Sequence, residues 1–169
     1  MAKQYNKSFN NTNQKSGYYT KRNIRPNTIV TVKNGFQGKL VYISKKTGEK
    51  FVWENFGDEQ DMEASELKSA KNSSKSYFIN NWFLIDDPEI IDYLGVGMYY
   101  KNALSFNAFD NLFSKSVAEI NRIIPNLSKG QKKSVIYRAK QLIDEGKIDS
   151  LNTIRALERN LDVELIESV

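Results

Sequence analysis

Three short apolar segments, separated by glycine-containing turns, most constrain what this chain can fold into. The predicted strands are a segment opened by Ile29, Val30 and Val32, then residues 39–43, then residues 49–56. Asn34-Gly35 favours a tight hairpin turn, and the polar residues 44–48 end in a glycine that suits a second one. Because a flat sheet this short would leave its aromatic residues exposed, we expect a small curled antiparallel β-meander, an SH3-like or similar partly open barrel.

The next segment mixes strand and helix signals. Residues 57–60 end the third strand. Residues 62–72 could begin as another strand, but they are rich in good helix formers, which favours a helix. Residues 75–81 are predicted to form a second short helix. The apolar residues 82–85 have the length of a strand and are expected to return to the sheet.

From residue 86 onward, capping signals predict a series of helices. The predicted caps are Asp87, Ser116, Ser128 and either Asp149 or Ser150, and two of them, Ser116 with Glu119 and Ser128 with Gln131, have the spacing of capping boxes. Pro88 suits a first helical position, and Gly95 is placed to end that helix. The helix after Ser128 is predicted to reach about Glu145, and its apolar residues fall on one face.

The chain is therefore predicted to be an α+β protein with three regions. These are an extended basic N-terminal arm (residues 1–27), a small β-rich domain with short helices (residues 28–86) and a helical lobe (residues 87–169). No internal repeat, signal peptide or apolar run of membrane-spanning length is visible, so we expect an intracellular or particle-borne soluble protein.

The net charge of +5 comes entirely from the arm. Residues 1–25 contain six basic residues and no acid, whereas the other 144 residues contain 19 basic and 20 acidic ones, a net charge of −1. The arm is too polar to fold alone, so it is either an unstructured terminus or a segment that becomes ordered on a partner. In the second case the candidate partner-binding residues are Tyr5, Phe9, Tyr18, Tyr19, Lys21, Arg22 and Arg25.

The chain contains neither cysteine nor histidine. Disulfides, thiol nucleophiles and thiolate metal sites are therefore excluded, and the commonest general base and metal ligand is missing. Acidic residues cluster at residues 58–66 and 86–92, but neither cluster has the spacing of a calcium loop. The Gly95-Val96-Gly97 sequence lacks the third glycine of a dinucleotide fingerprint. We therefore predict no catalytic residue, metal, cofactor or small-molecule substrate, and no enzymatic activity.

A basic segment between Glu119 and Asp144 is the alternative candidate site. Lys129, Lys132, Lys133, Arg138 and Lys140 on the predicted helix could contact nucleic-acid phosphates. Residues 141–169 carry three basic and seven acidic residues, so the basic helix could instead pair with its acidic neighbour or with another copy. Phe51, Trp53 and Trp82 lie in apolar strand contexts, which favours core packing over base stacking.

Several segments resemble a small virion structural protein family of large tailed bacteriophages. They are Gly38-Lys39-Leu40-Val41-Tyr42, Lys46-Thr47-Gly48-Glu49, Trp53, Phe56-Gly57-Asp58-Glu59-Gln60, Glu66-Leu67, Ala70-Lys71-Asn72-Ser73, Asn80-Asn81-Trp82-Phe83 and Asp86-Asp87-Pro88-Glu89. The resemblance covers about residues 28–113. It implies a particle component in the capsid, neck, tail or baseplate, and it transfers no functional residue.

The resemblance implies a non-enzymatic virion structural protein, and the basic arm and the segregated charges agree with that role. An arm that becomes ordered on neighbouring subunits adds contact area without enlarging the folded core. The expected partners are other virion proteins and copies of the same chain, with no membrane contact, and the expected location is the virion, assembled in the host cytoplasm. The alternative is a nucleic-acid-binding module that uses the arm and the basic helix.

Overall fold

The computed structural model describes residues 22–166 and confirms the predicted α+β class. The first part of the chain contains β1 (Ile29–Asn34), β2 (Leu40–Ile43), β3 (Lys50–Trp53), β4 (Glu59–Glu63), α1 (Ala64–Ser73), α2 (Ser76–Ile79), β5 (Phe83–Leu84), α3 (Pro88–Leu94) and α4 (Gly97–Tyr100). The second part contains α5 (Phe106–Asn111), α6 (Val117–Ile123), α7 (Lys129–Asp144) and α8 (Leu151–Leu161), with 3-10 turns at Leu112–Ser114 and Ile124–Asn126.

The strands form two small antiparallel sheets. β1 pairs with β4 on one side and with β5 on the other, which gives the order β4-β1-β5, while β2 and β3 form a separate hairpin. The predicted turn at residues 44–48 and the return of residues 82–85 to the sheet are confirmed. The predicted meander pairing of the first strand with the second is wrong, and within residues 22–166 the sheets form no closed barrel.

Asn34 explains why its strand does not turn back into a hairpin. Its side chain is fully buried, and its Nδ2 donates to the carbonyl oxygens of Gly38 at 2.7 Å and Asn55 at 2.8 Å. The backbone N–H of Gly35 donates to the carbonyl oxygen of Trp82 at 2.7 Å. Asn34-Gly35 is therefore bonded to the loop that follows it and to two distant segments, and these hydrogen bonds replace those of a hairpin turn.

β4 begins at Glu59, where the residue pattern predicts the end of a strand and not a new one. Four of its five residues are polar, and Met62 is its only buried side chain. Its extended conformation follows from its pairing with β1, in which Met62 lies opposite Val30. The helix formers around residues 64–73 do form α1, so the predicted helix begins two residues later than expected.

Aromatic side chains fill the core of the β-rich region. Phe83 is fully buried, and its ring contacts the rings of Tyr42, Trp53, Tyr77 and Phe78. Trp53 Nε1 donates to the carbonyl oxygen of Val32 at 2.9 Å, so the one polar atom of the indole is satisfied in the core. The predicted burial of Phe51 and Trp53 is confirmed, and Trp82 is partly buried against the same core.

The helices after residue 104 enclose a second core. The predicted apolar face of α7 is confirmed, because Val135, Ala139 and Leu142 are buried there. α8 packs mainly against α6 and the 3-10 turn that follows it. Its buried stripe contains Ile154, Leu157 and Leu161.

α7 connects the two cores. Ser134 Oγ donates to the carbonyl oxygen of Gly35 at 2.9 Å, and Gly130 packs directly against Asn80. The predicted domain boundary between residues 86 and 87 assigns α3 to the helical lobe. In the structure, Ile90 and Leu94 of α3 are buried in the first core, that of the β-rich region. The two regions therefore share an interface in which the N-terminal half of α7 lies against the loops of the β-rich region.

The predicted helix caps are present, with one difference in detail. Asp87, Ser116 and Ser150 each cap the helix that follows, and Ser116 forms the complete capping box with Glu119. Ser128 caps α7, but the side chain of Gln131 does not return to it. Gln131 is fully buried and instead binds both the N–H and the carbonyl oxygen of Leu104, at 2.9 and 2.8 Å. The second predicted capping box is therefore half formed, because a buried backbone segment uses the amide.

Candidate functional site

The acidic clusters noted in the sequence make structural contacts. Asp87 accepts hydrogen bonds from the backbone N–H groups of Glu89 and Ile90 at the start of α3. Asp58 Oδ2 accepts from the backbone N–H groups of Glu54 and Asn55 and so holds the turn before β4. Within the described range, residues 22–166, no group of three or more acidic side chains is placed to bind a metal ion.

Glu66, the last residue of the first acidic cluster, is buried and accepts two side-chain hydrogen bonds. It is buried at 7% exposure, and its carboxylate accepts hydrogen bonds from Tyr42 Oη at 2.6 Å and from Ser44 Oγ at 3.0 Å. Burial, together with the hydrogen bond to this carboxylate, raises the pKa of Tyr42 above its ordinary value, so the phenol keeps its proton and donates. These bonds attach the β2–β3 hairpin to α1.

The base of the N-terminal arm is held at the start of α3. Arg22 donates from Nη2 to Asp87 Oδ2 at 2.9 Å and from its backbone N–H to Glu89 Oε1 at 3.1 Å. Ile24 packs against the first core, and Arg25 forms a tight turn with Thr28. Of the candidate partner-binding residues, Tyr5, Phe9, Tyr18, Tyr19 and Lys21 lie outside the described residues. The arm therefore leaves the folded body at a defined point.

Three of the predicted basic residues form one exposed face of α7, which we call the lysine face: Lys129, Lys133 and Lys140. Their spacing of four and seven residues places them on the same side of the helix. No ion pair to any of the three is present in the part of the chain that the structure describes. Lys132 lies beside this face, and its Nζ donates to the carbonyl oxygen of Pro125 at 3.2 Å.

Arg138, which was grouped with these lysines in the sequence, lies on another side of the helix. Its Nε and Nη2 donate to the two carboxylate oxygens of Asp110 at 2.9 and 2.7 Å. These hydrogen bonds hold the pKa of Asp110 below its usual range, against the opposing effect of partial burial. Nη1 donates to Gln141 Oε1 at 3.3 Å. Arg138 therefore links α7 to α5 and has a fixed guanidinium plane.

Among residues 22–166, the acidic residues of the C-terminal segment form no ion pair with the lysine face. Glu158 pairs with Arg155 on its own helix, and its other oxygen accepts from the backbone N–H groups of Leu165 and Ile166. These bonds hold the pKa of Glu158 low, with the Leu165 bond as the largest cause. Glu145 pairs with Lys147. The interpretation that α7 pairs by charge with the acidic residues that follow it is therefore not supported by any ion pair among residues 22–166.

A cleft of about 530 Å³ lies between the β-rich region and α7, beside the lysine face. Its walls include Gln37, Asn55, Phe56, Phe106, Tyr137 and Gln141, together with the Arg138–Asp110 pair. Tyr137 is 53% exposed and belongs to both the cleft and the exposed side of α7. No residue pattern along the chain indicates this cleft, because its walls come from four segments far apart in sequence. The signal available in the sequence was Tyr137 itself, an aromatic residue between Lys133 and Lys140 on a predicted helix.

The comparisons with known proteins add no relative to this description. No protein-family model, curated protein or solved structure matches the chain. None of the helices between residues 22 and 166 has the length and apolar character needed to cross a membrane.

Proposed function

We propose that this protein is a non-enzymatic structural component of a tailed-phage virion that binds neighbouring subunits through its N-terminal arm. The observation that carries the role of the arm is the anchoring of its base, where Arg22 binds Asp87 and Glu89 at the start of α3, while the virion assignment rests on the resemblance over about residues 28–113. The basic, tyrosine-containing residues before Arg22 are thereby joined to the folded body at a fixed point, from which they can reach an adjacent subunit. Each exposed ion pair contributes little stability, so the pairs fix the position of Arg22 more than they stabilise the fold.

Deleting residues 1–21 is expected to abolish incorporation into particles and to leave the folded body intact. The deletion keeps Arg22 and Ile24, which contact the body, and removes only residues before them. Cooperative thermal unfolding measured by circular dichroism should therefore be retained. Incorporation is measured by mass spectrometry of particles from cells in which the deleted protein replaces the normal one.

A full-length control separates aromatic anchoring from charge. Its Tyr5, Phe9, Tyr18 and Tyr19 are replaced by serine, and every lysine and arginine of the arm is kept. If the aromatic residues are the anchors, this variant should incorporate as poorly as the deletion. Normal incorporation of the deleted protein would overturn the arm proposal, and the absence of the normal protein from purified particles would overturn the virion assignment itself.

The second proposed function is nucleic-acid binding by the lysine face, and one observation favours it. Lys129, Lys133 and Lys140 are exposed on one side of α7, and none of them has an acidic partner among residues 22–166. Three unpaired ammonium groups on one rigid helix provide the electrostatic contacts that phosphates require. Such a surface also suits an acidic protein partner, so the decisive measurement is binding to nucleic acid itself.

Replacing Lys129, Lys133 and Lys140 by glutamine is expected to weaken nucleic-acid binding and its salt dependence together. The slope of log affinity against log salt concentration should fall by about 2 to 3, since each phosphate contact contributes about 0.7 to 0.9. The matched control replaces Lys45, Lys46 and Lys50, which are exposed around the β2–β3 turn. An equal effect of both triple variants, or no binding by the unchanged protein near physiological salt, would contradict this function.

A further inference from the structure

We infer that the cleft beside α7 accepts an unstacked base of a single-stranded nucleic acid, an inference that rests on the second proposed function. The lysine face and the cleft meet at Tyr137, which lies on the exposed side of α7 and also lines the cleft. A strand whose phosphates follow the lysines would therefore carry its bases past the mouth of the cleft. The partner that this geometry fits is a flexible single strand of DNA or RNA.

The position of Tyr137 on the helix supports phosphate contact and base stacking by the same strand. Lys133 lies four residues before it and Lys140 three residues after it, so both lysines flank the ring on the same side of α7. The ring is 53% exposed, and Tyr137 is the one large aromatic residue exposed to this extent between residues 22 and 166. Basic residues interleaved with an exposed aromatic ring are typical of single-strand binding, in which phosphates meet cations and bases stack on rings.

The cleft walls match a base better than a purely apolar ligand. Arg138 is fixed by its two hydrogen bonds to Asp110, so its guanidinium plane offers a second, immobile stacking surface. The amides of Asn55 and Gln141 supply donors and acceptors that suit base edges. Gln37 also lines the cleft.

The size of the cleft separates single strands from duplexes. Its volume of about 530 Å³ falls within the range of sites that enclose small ligands, roughly 300–1,000 Å³. Bases in a duplex are stacked and paired, so none can enter such a site without being extruded. The lysine face alone would bind both kinds of nucleic acid, whereas a cleft that holds a base favours the single strand.

Fluorescence anisotropy with labelled oligonucleotides tests the inference on the full chain. The probes are a 15-residue oligo(dT), a 15-residue oligo(U) and a 15-base-pair mixed-sequence DNA duplex, each titrated at several salt concentrations. The single strands should bind more tightly than the duplex. Tyr137→Ala should weaken single-strand binding about 10-fold with the salt slope unchanged, because it removes stacking and no charge. Tyr137→Phe keeps the ring and should bind normally.

Controls keep failure of the cleft separate from failure of the lysine face. Met98→Ala removes another exposed apolar side chain, on α4, and should leave binding unchanged. If the triple lysine variant weakens binding and Tyr137→Ala does not, nucleic-acid binding stands and the cleft inference is wrong. If Tyr137→Ala changes only the association between copies, measured by sedimentation, the cleft is a protein contact and the inference is again wrong. A 15-residue oligo(dU) differs from oligo(U) only in the sugar, so tighter binding to oligo(U) would identify RNA as the preferred strand and tighter binding to oligo(dU) would identify DNA.

Discussion

Phe83→Ala is expected to lower the free energy of unfolding by about 3–5 kcal/mol, the range for removing a large aromatic residue from a core. Phe83 is fully buried and lies among four aromatic rings, with its centroid 4.8 Å from that of Tyr77 and 5.5 Å from that of Trp53. Those rings are held by separate strands and helices, so they cannot all move inward to fill the cavity. Urea unfolding followed by tryptophan fluorescence measures the loss.

The position of Phe83 in the sheet explains why its replacement should also weaken contacts made by neighbouring elements. It forms half of β5, and its carbonyl oxygen accepts from Tyr100 Oη at 2.6 Å. Burial raises the pKa of Tyr100 above its ordinary value, so this phenol also remains a donor. Ile43→Ala is the control, because Ile43 is 52% exposed at the end of β2 and should change stability by less than about 0.5 kcal/mol. Where Phe83→Ala does not fold, Phe83→Leu gives the measurable intermediate loss, and equal stability of Phe83→Leu and the unchanged protein would refute the central role of this ring.

Gly130→Ala is expected to lower the free energy of unfolding by about 1–3 kcal/mol, the usual cost of overpacking. Helix propensity alone predicts the opposite sign, since alanine is favoured over glycine in a helix by about 1 kcal/mol. The tertiary contact decides the sign. A Cβ added at Gly130 would meet the carbonyl oxygen of Asn80 and lie 2.5 Å from its Cβ, far inside van der Waals contact. Backbone atoms of Asn80 cannot rotate away, so α7 would have to shift from the β-rich region.

The control for this prediction is Gly97→Ala, at the first position of α4. An added Cβ there meets no atom of the described residues within 4 Å, so propensity should act without opposition and stability should be unchanged or slightly higher. Both variants are compared by urea unfolding under identical conditions. A stabilising effect of Gly130→Ala equal to that of Gly97→Ala would show that α7 does not pack closely on Asn80.

Local signals predicted the helices well because their causes lie within a few residues. Asp87, Ser116 and Ser150 cap their helices through hydrogen bonds to backbone N–H groups two or three residues later. Gly95 ends α3 in the left-handed conformation that glycine adopts without a Cβ penalty. The capping box at Ser128 failed in its second half because the partner of Gln131, the backbone of Leu104, lies 27 residues away.

The candidate site likewise combines features that the sequence predicts with features that depend on tertiary contacts. The lysine face could be predicted, since the spacing of Lys129, Lys133 and Lys140 along one helix determines that they share a side. The separation of Arg138 from them could not, because its partner Asp110 belongs to α5. The cleft at Tyr137 requires the β-rich region to pack against α7, and no residue pattern within either region reports that contact.

The sequence by itself therefore determined the α+β class, most helix starts, the β2–β3 hairpin and the confinement of the excess positive charge to the first 25 residues. These properties depend on backbone preferences, short-range hydrogen bonds and composition. Only the tertiary structure decided that β1 pairs with β4 and β5, that Arg22 is held by Asp87 and Glu89, and that a cleft opens beside the lysine face. Those features arise from contacts between distant segments, whose free energy depends on which surfaces the packed core brings together.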